Sequence, residues 1–112
     1  MDFALQFEGN PYVYGGTSLT NGADCSGFVM SVFANFGYSL PRVAAAQCDA
    51  STKKDISQLE PGDLVFYGSG YVDHVALYIG DGKIIHASGA ATGIKISNYD
   101  YEQPAAVGTF ME

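Results

Sequence analysis

A chain of 112 residues is long enough for one hydrophobic core and too short for two. Hydrophobic residues make up 47% of it, which excludes disorder, and a net charge of -7 with one arginine, Arg42, and no basic cluster argues against nucleic-acid and anionic-membrane surfaces. No apolar run approaches the ~20 residues of a membrane helix, and no charged-then-apolar signal segment opens the chain, so the expectation is an intracellular protein or a domain of a longer one.

Residues 2–8 read as a short helix with Phe3, Ala4 and Phe7 on one face, stopped by Gly9-Asn10-Pro11. Pro11-Tyr12-Val13-Tyr14-Gly15-Gly16-Thr17 is an extended aromatic piece whose glycine pair permits close backbone approach. Tyr12 either reaches a site with its hydroxyl or packs as a core aromatic. After a polar turn over 18–22 comes Asp24-Cys25-Ser26-Gly27, where a cysteine opens an apolar-periodic helix. Phe28, Val29, Val32, Phe33 and Phe36 form its buried face, with Asp24 as N-cap and Gly37 as C-terminal stop. A thiol in a first helical turn has its pKa lowered by the helix dipole and becomes a nucleophile; the alternative is a small buried hydrophobe. Cys25 and Cys48 are also able to form one disulfide, which would exclude Cys25 as nucleophile.

Residues 42–49 read as a second, alanine-rich helix begun by Pro41, and 51–57 as a polar surface loop. Strands follow at 64–67, 72–79, 84–87, 94–97 and 106–110, separated by turn residues. Helices first and a short-loop antiparallel sheet second predict an α+β architecture.

The two histidines, His74 and His86, flank the turn Gly80-Asp81-Gly82. A two-residue turn through Asp81-Gly82 pairs Gly80 with Lys83 and puts the histidines on opposite faces. A three-residue loop with a bulge at Gly82 pairs Ile79 with Lys83 and brings them to one face, and this second register is the one expected. His74 can then act as base to Cys25, with His86 orienting it; two structural histidines are the competing reading. A metal site from these histidines and Cys25 lacks a fourth ligand.

Pro11-Tyr12-Val13-Tyr14-Gly15-Gly16, Asp24-Cys25-Ser26-Gly27, Pro61-Gly62-Asp63-Leu64, His74-Val75-Ala76-Leu77-Tyr78-Ile79-Gly80 and His86-Ala87 together resemble the NlpC-type family of bacterial cell-wall cysteine peptidases. The resemblance spans nearly the whole chain. It implies a papain-like α+β fold, with the nucleophile helix packed on a five- to six-stranded antiparallel sheet. It also implies hydrolysis of peptidoglycan stem peptides between D-γ-glutamate and a diamino acid, through a thioester acyl-enzyme. Matched position by position, Cys25 is nucleophile, His74 base and acid, and His86 the orienting third residue. Tyr12, Asp24, Ser26, Arg42 and Gln47 fall where substrate is bound, while Cys48 is outside the pattern. The expectation is a single catalytic domain over 1–112 of a longer exported protein, acting as a monomer at the cell wall without metal or cofactor. An amidase or acyltransferase of the same fold, and a silent domain that only binds wall fragments, are the alternatives. The acidic surroundings also suggest a substrate with a free amine, whose α-carboxylate Arg42 would take in a bidentate grip.

Overall fold

The computed structural model describes residues 2–110. The helix α1 (Asp2–Leu5) occupies only the first half of the expected 2–8 segment, which continues as turns to Gly9. Its face is as expected: Phe3 meets Phe7 edge-on at 5.1 Å, and Ala4 is buried. A small hairpin of β1 (Thr17–Ser18) and β2 (Gly22–Ala23) then leads into α2 (Cys25–Ala34). Phe28, Val29, Val32 and Phe33 are fully buried along α2, and the Tyr38 N–H donates to the Phe33 carbonyl at 3.1 Å around Gly37, whose φ of 85° closes the helix. Phe36 departs from the expected face. It lies past the last helical residue, where the periodicity no longer applies, and is 51% exposed against Phe3.

The second helix, α3 (Ala44–Ala50), starts two residues later than residues 42–49 implied. Val43 is extended (φ -111°, ψ 154°), and the Arg42 side chain is drawn back toward Asp24, so neither enters the helix. The polar segment 51–57 is not all loop. Its start is β3 (Thr52–Lys54), an edge strand paired with the C-terminal β8 (Ala106–Thr109), and a charged edge strand carries no apolar alternation to reveal it. The other strands are β4 (Leu64–Tyr67), β5 (His74–Gly80), β6 (Lys83–Gly89) and β7 (Gly93–Asn98).

These six strands form one antiparallel sheet in the order β3-β8-β4-β5-β6-β7. One face, with Leu64, Phe66, Val75, Leu77, Ile85, Ala87 and Ile94, packs on α2. The opposite face buries Val65, Tyr67, Ala76 and Ile84 beneath Leu59, Tyr78 and Tyr99. Because both faces are covered, β4 is buried at all four positions and reads as a continuous apolar run.

The β5–β6 turn corrects the expectation in its device and keeps it in its outcome. Gly80 pairs with Lys83, so the turn is the two-residue Asp81-Gly82, with φ of 55° and 74° as a type I′ turn demands. Beyond it, Tyr78 pairs with Ile84 and Leu77 with Ile85, which leaves Ile79 as the extra residue of a bulge, next to Gly80 at φ 101°. The bulge shifts the register by one and restores the parity that a three-residue loop would have supplied. His74 and His86 therefore share a face.

Candidate active site

Three pieces of backbone hold Cys25 at the start of α2. Asp24 caps the helix, its Oδ1 accepting the Gly27 N–H at 2.7 Å. The glycine pair lies against this loop: the Gly15 N–H donates to Asp24 Oδ2 at 3.1 Å, and the Asp24 N–H donates to the Gly16 carbonyl at 3.1 Å. A Cβ at Gly27 would strike the Gly16 carbonyl, so the approach requires a glycine there. Tyr12, in a parallel bridge to Ala23, is thereby set beside the cysteine.

The electrostatics of the thiol differ from the expectation. Burial pushes the Cys25 thiol above its usual value, and the Asp24 carboxylate adds to the rise. The N–H groups of Val75, Ser26 and Cys25 itself oppose this and favour the thiolate, but they do not win. A helix N-terminus lowers a cysteine pKa when the sulfur is solvated; this one is half-buried beside a carboxylate. Cys25 and Cys48 are both free, and Cys48 is a buried residue of α3 within the core cluster.

The Val75 N–H is where the sheet meets the sulfur. Val75 and Leu77 face α2, so alternation turns His74, Ala76 and Ile84 to the other face, and His86 with them. β5 and β6 pair only as far as Leu77 and Ile85, and the strands part before they reach His74. Cys25 approaches from the helix side of this fork and the histidines lie on the far side. His74 Nε2 is 2.8 Å from His86 Nδ1, so Nδ1 is the nitrogen His74 has left for other chemistry. His86 Nε2 lies 2.9 Å from Ser97 Oγ on β7. Tyr67 stacks near His74 at 5.8 Å between ring centroids, and Tyr101 near His86 at 5.4 Å, boxing the pair in. Burial lowers the pKa of both rings, for His86 to about 3, so both rings are neutral near pH 7.

A groove of about 740 Å³ runs from Tyr12 and Tyr14 past Asp24, Cys25, Ser26 and Arg42 to Tyr71, Val72 and Asp73, ending one residue short of His74. Four of the five expected substrate contacts, Tyr12, Asp24, Ser26 and Arg42, line it. Gln47 does not. It is fully buried, its Nε2 donating to the Ser26 carbonyl at 3.1 Å and the Pro41 carbonyl at 2.8 Å, so it ties α3 to the cysteine helix from below. Arg42 lines the groove with its fork engaged inside the protein. Nη1 donates to Asp24 Oδ1 at 3.1 Å and to Ser26 Oγ at 3.0 Å, and Nη2 donates to Asp24 Oδ2 at 3.0 Å. Burial alone would raise the Asp24 carboxyl; the Arg42 guanidinium and the Gly27 and Gly15 N–H groups outweigh it and hold the carboxyl below its usual range. Sequence reasoning missed the Val75 N–H, Ser97, and the exposed rings of Tyr14 and Tyr71 on the groove. Only Ser97 carried a signal, as a polar residue within a predicted strand, and using it required a β6–β7 register that the loop did not reveal.

Comparison with known proteins supplies the family. A bifunctional muramidase/DL-endopeptidase of Bacillus subtilis is 39% identical over 102 residues, 88% of this chain and 30% of that protein. A gamma-D-glutamyl-L-lysine dipeptidyl-peptidase of the same organism is 42% identical over 94 residues, 80% of this chain and 31% of that protein. The chain thus spans less than a third of the length of either relative. Among solved structures, an NlpC/P60 family protein from Bacillus cereus superposes with a TM-score of 0.93 at 33% identity, covering 99% of this chain and 39% of that one. The NlpC/P60 family model matches residues 9–109, the span that holds the cysteine helix, the glycine pair and both histidines, and the chain belongs to the NlpC/P60 family.

Proposed function

We propose that this domain is a cysteine peptidase that hydrolyses peptidoglycan stem peptides between D-γ-glutamate and a diamino acid. One observation carries the reading: a cysteine at a helix N-terminus lies against the peptide that follows His74, whose ring is hydrogen-bonded to His86. The relatives' names supply the substrate class and the bond.

In this reading His74 Nδ1 takes the thiol proton as the Cys25 sulfur attacks the glutamyl carbonyl carbon. The Cys25 N–H receives the developing oxyanion at the start of α2. His74 then passes the proton to the departing amine nitrogen, and the C–N bond breaks to leave a thioester. His74 next removes a proton from water, the hydroxide attacks the thioester, and the thiol reforms with release of the glutamyl acid. His86 holds His74 in register. The raised thiol and lowered imidazole pKa values make the resting pair neutral, so proton transfer accompanies attack. Tyr12 and Ser26 bind the acyl side of the substrate, and the Asp24–Arg42 pair forms a compensated floor. An amine on the substrate then meets the Tyr12 hydroxyl more readily than an Asp24 carboxylate already surrounded by donors. The setting proposed is the bacterial cell wall, with the domain acting as a monomer and without metal.

Digestion of purified murein and of free stem peptides, with fragments identified by mass, tests the proposal. The expected cut follows D-glutamate, survives a chelator and is blocked by iodoacetamide. Cleavage of a different acyl bond would favour the amidase or acyltransferase reading. Tight fragment binding without any cut would favour a silent wall-binding domain.

A further inference from the structure

The hydrogen-bonded pair does not stop at His86. His86 is 1% exposed, so each of its ring nitrogens needs a partner inside the protein. Nδ1 has His74, and Nε2 has Ser97 Oγ at 2.9 Å. The β6–β7 ladder explains why Ser97 is there. Lys95 stands opposite His86 and Ser97 opposite Ile84, which makes Ser97 the diagonal neighbour of His86 on the same face. Each ring of this neutral pair carries one proton, and the three residues allow two consistent arrangements. If Ser97 accepts, His86 is protonated on Nε2, its Nδ1 accepts from His74 Nε2, and His74 Nδ1 is bare. If Ser97 donates, both rings are protonated on Nδ1, and the ring that must receive the thiol proton has no lone pair for it.

We propose that Ser97 is a positioning residue of the site: by accepting the His86 Nε2 proton it selects the tautomer that leaves His74 Nδ1 free to act as base. The role rests on the peptidase reading, because only thiol chemistry makes one tautomer productive. The relay also polarises His86 Nδ1 when His74 becomes positively charged, which favours the transition state over bound substrate. Removing the hydroxyl leaves a buried N–H without a partner. The ring relieves this by moving its proton to Nδ1, the unproductive form.

Two readouts test it on Ser97→Ala and Ser97→Thr. For hydrolysis of a stem peptide, Ser97→Ala is expected to lower kcat roughly tenfold with KM little changed, while Ser97→Thr, which keeps the oxygen on a strand-compatible side chain, restores most of kcat. In 15N NMR of the histidine side chains, wild type and Ser97→Thr are expected to carry the His86 proton on Nε2, and Ser97→Ala to shift it toward Nδ1. A wild-type proton on Nδ1 would overturn the proposal, as would a fall in kcat for Ser97→Ala with the tautomer unchanged. Should Ser97→Ala fail to fold, the wild-type and Ser97→Thr spectra decide. Should wild type cut no stem peptide, the peptidase reading falls, and the spectra still show whether Ser97 sets the tautomer.

Discussion

At the scale of single residues, the two cysteines, one half-buried and one buried, are separated by their neighbours. Cys25 has a helix N-terminus and the Val75 N–H, from the peptide that follows His74; Cys48 has Lys53 and Asp49 nearby and a buried place in α3. His74→Ala is expected to lower turnover more than His86→Ala, since loss of the base costs about 10²–10⁴-fold and orientation less. The pH profile follows from the direction of the His74 shift. The base must be neutral, and burial lowers its pKa below the ordinary 6.5, so kcat/KM is expected to stay high until the pH falls below 6.5. An acid limb above 6.5 would mean a stabilised imidazolium and contradict the neutral resting pair. Asp24→Asn keeps an acceptor for the Gly27 N–H but turns an NH2 group toward the Gly15 N–H and Arg42, whereas Asp24→Ala loses the cap as well, the cap alone at about 1 kcal/mol by urea unfolding; both are expected to be less stable than wild type.

At the scale of elements, legibility depended on whether the signal was local. The cysteine helix was readable because the run Phe28, Val29, Val32, Phe33 lies within it and the Asp24 cap and Gly37 stop lie at its two ends. The shared face of His74 and His86 was readable as a requirement of the chemistry, but its device was not. Gly80-Asp81-Gly82 supports both a type I′ turn and a bulge, and only the sheet decides that the extra residue is Ile79. Gly80→Val, which forces a branched side chain to φ 101°, is expected to destabilise by roughly 1–3 kcal/mol and to loosen the histidine register, lowering activity beyond the loss of folded protein. Activity unchanged in a fully folded Gly80→Val variant would separate the bulge from the site. The edge strand β3 and the burial of Gln47 were not readable, because a polar residue paired or hydrogen-bonded from below has the same letter as one in solvent.

At the scale of the molecule, the sheet buries both faces, and the site occupies the end where they meet. The sulfur lies on the helix side, the imidazoles are on the far side, and the pairing of β5 with β6 stops at Leu77 and Ile85, short of His74. This placement couples the candidate site to packing. Phe33→Ala, on the buried face of α2, is expected to cost ~3–5 kcal/mol, a large share of the ~5–15 kcal/mol of an ordinary domain, and to lower the midpoint of a thermal melt with no effect specific to chemistry. The same architecture makes the identity of the nucleophile the central claim. Turnover of one defined free stem peptide by wild type, Cys25→Ala and Cys48→Ala, with products identified by mass, tests it most directly. Cleavage after D-glutamate is expected from wild type, most of that rate from Cys48→Ala, and none from folded Cys25→Ala; cleavage persisting in Cys25→Ala would contradict Cys25 as the nucleophile.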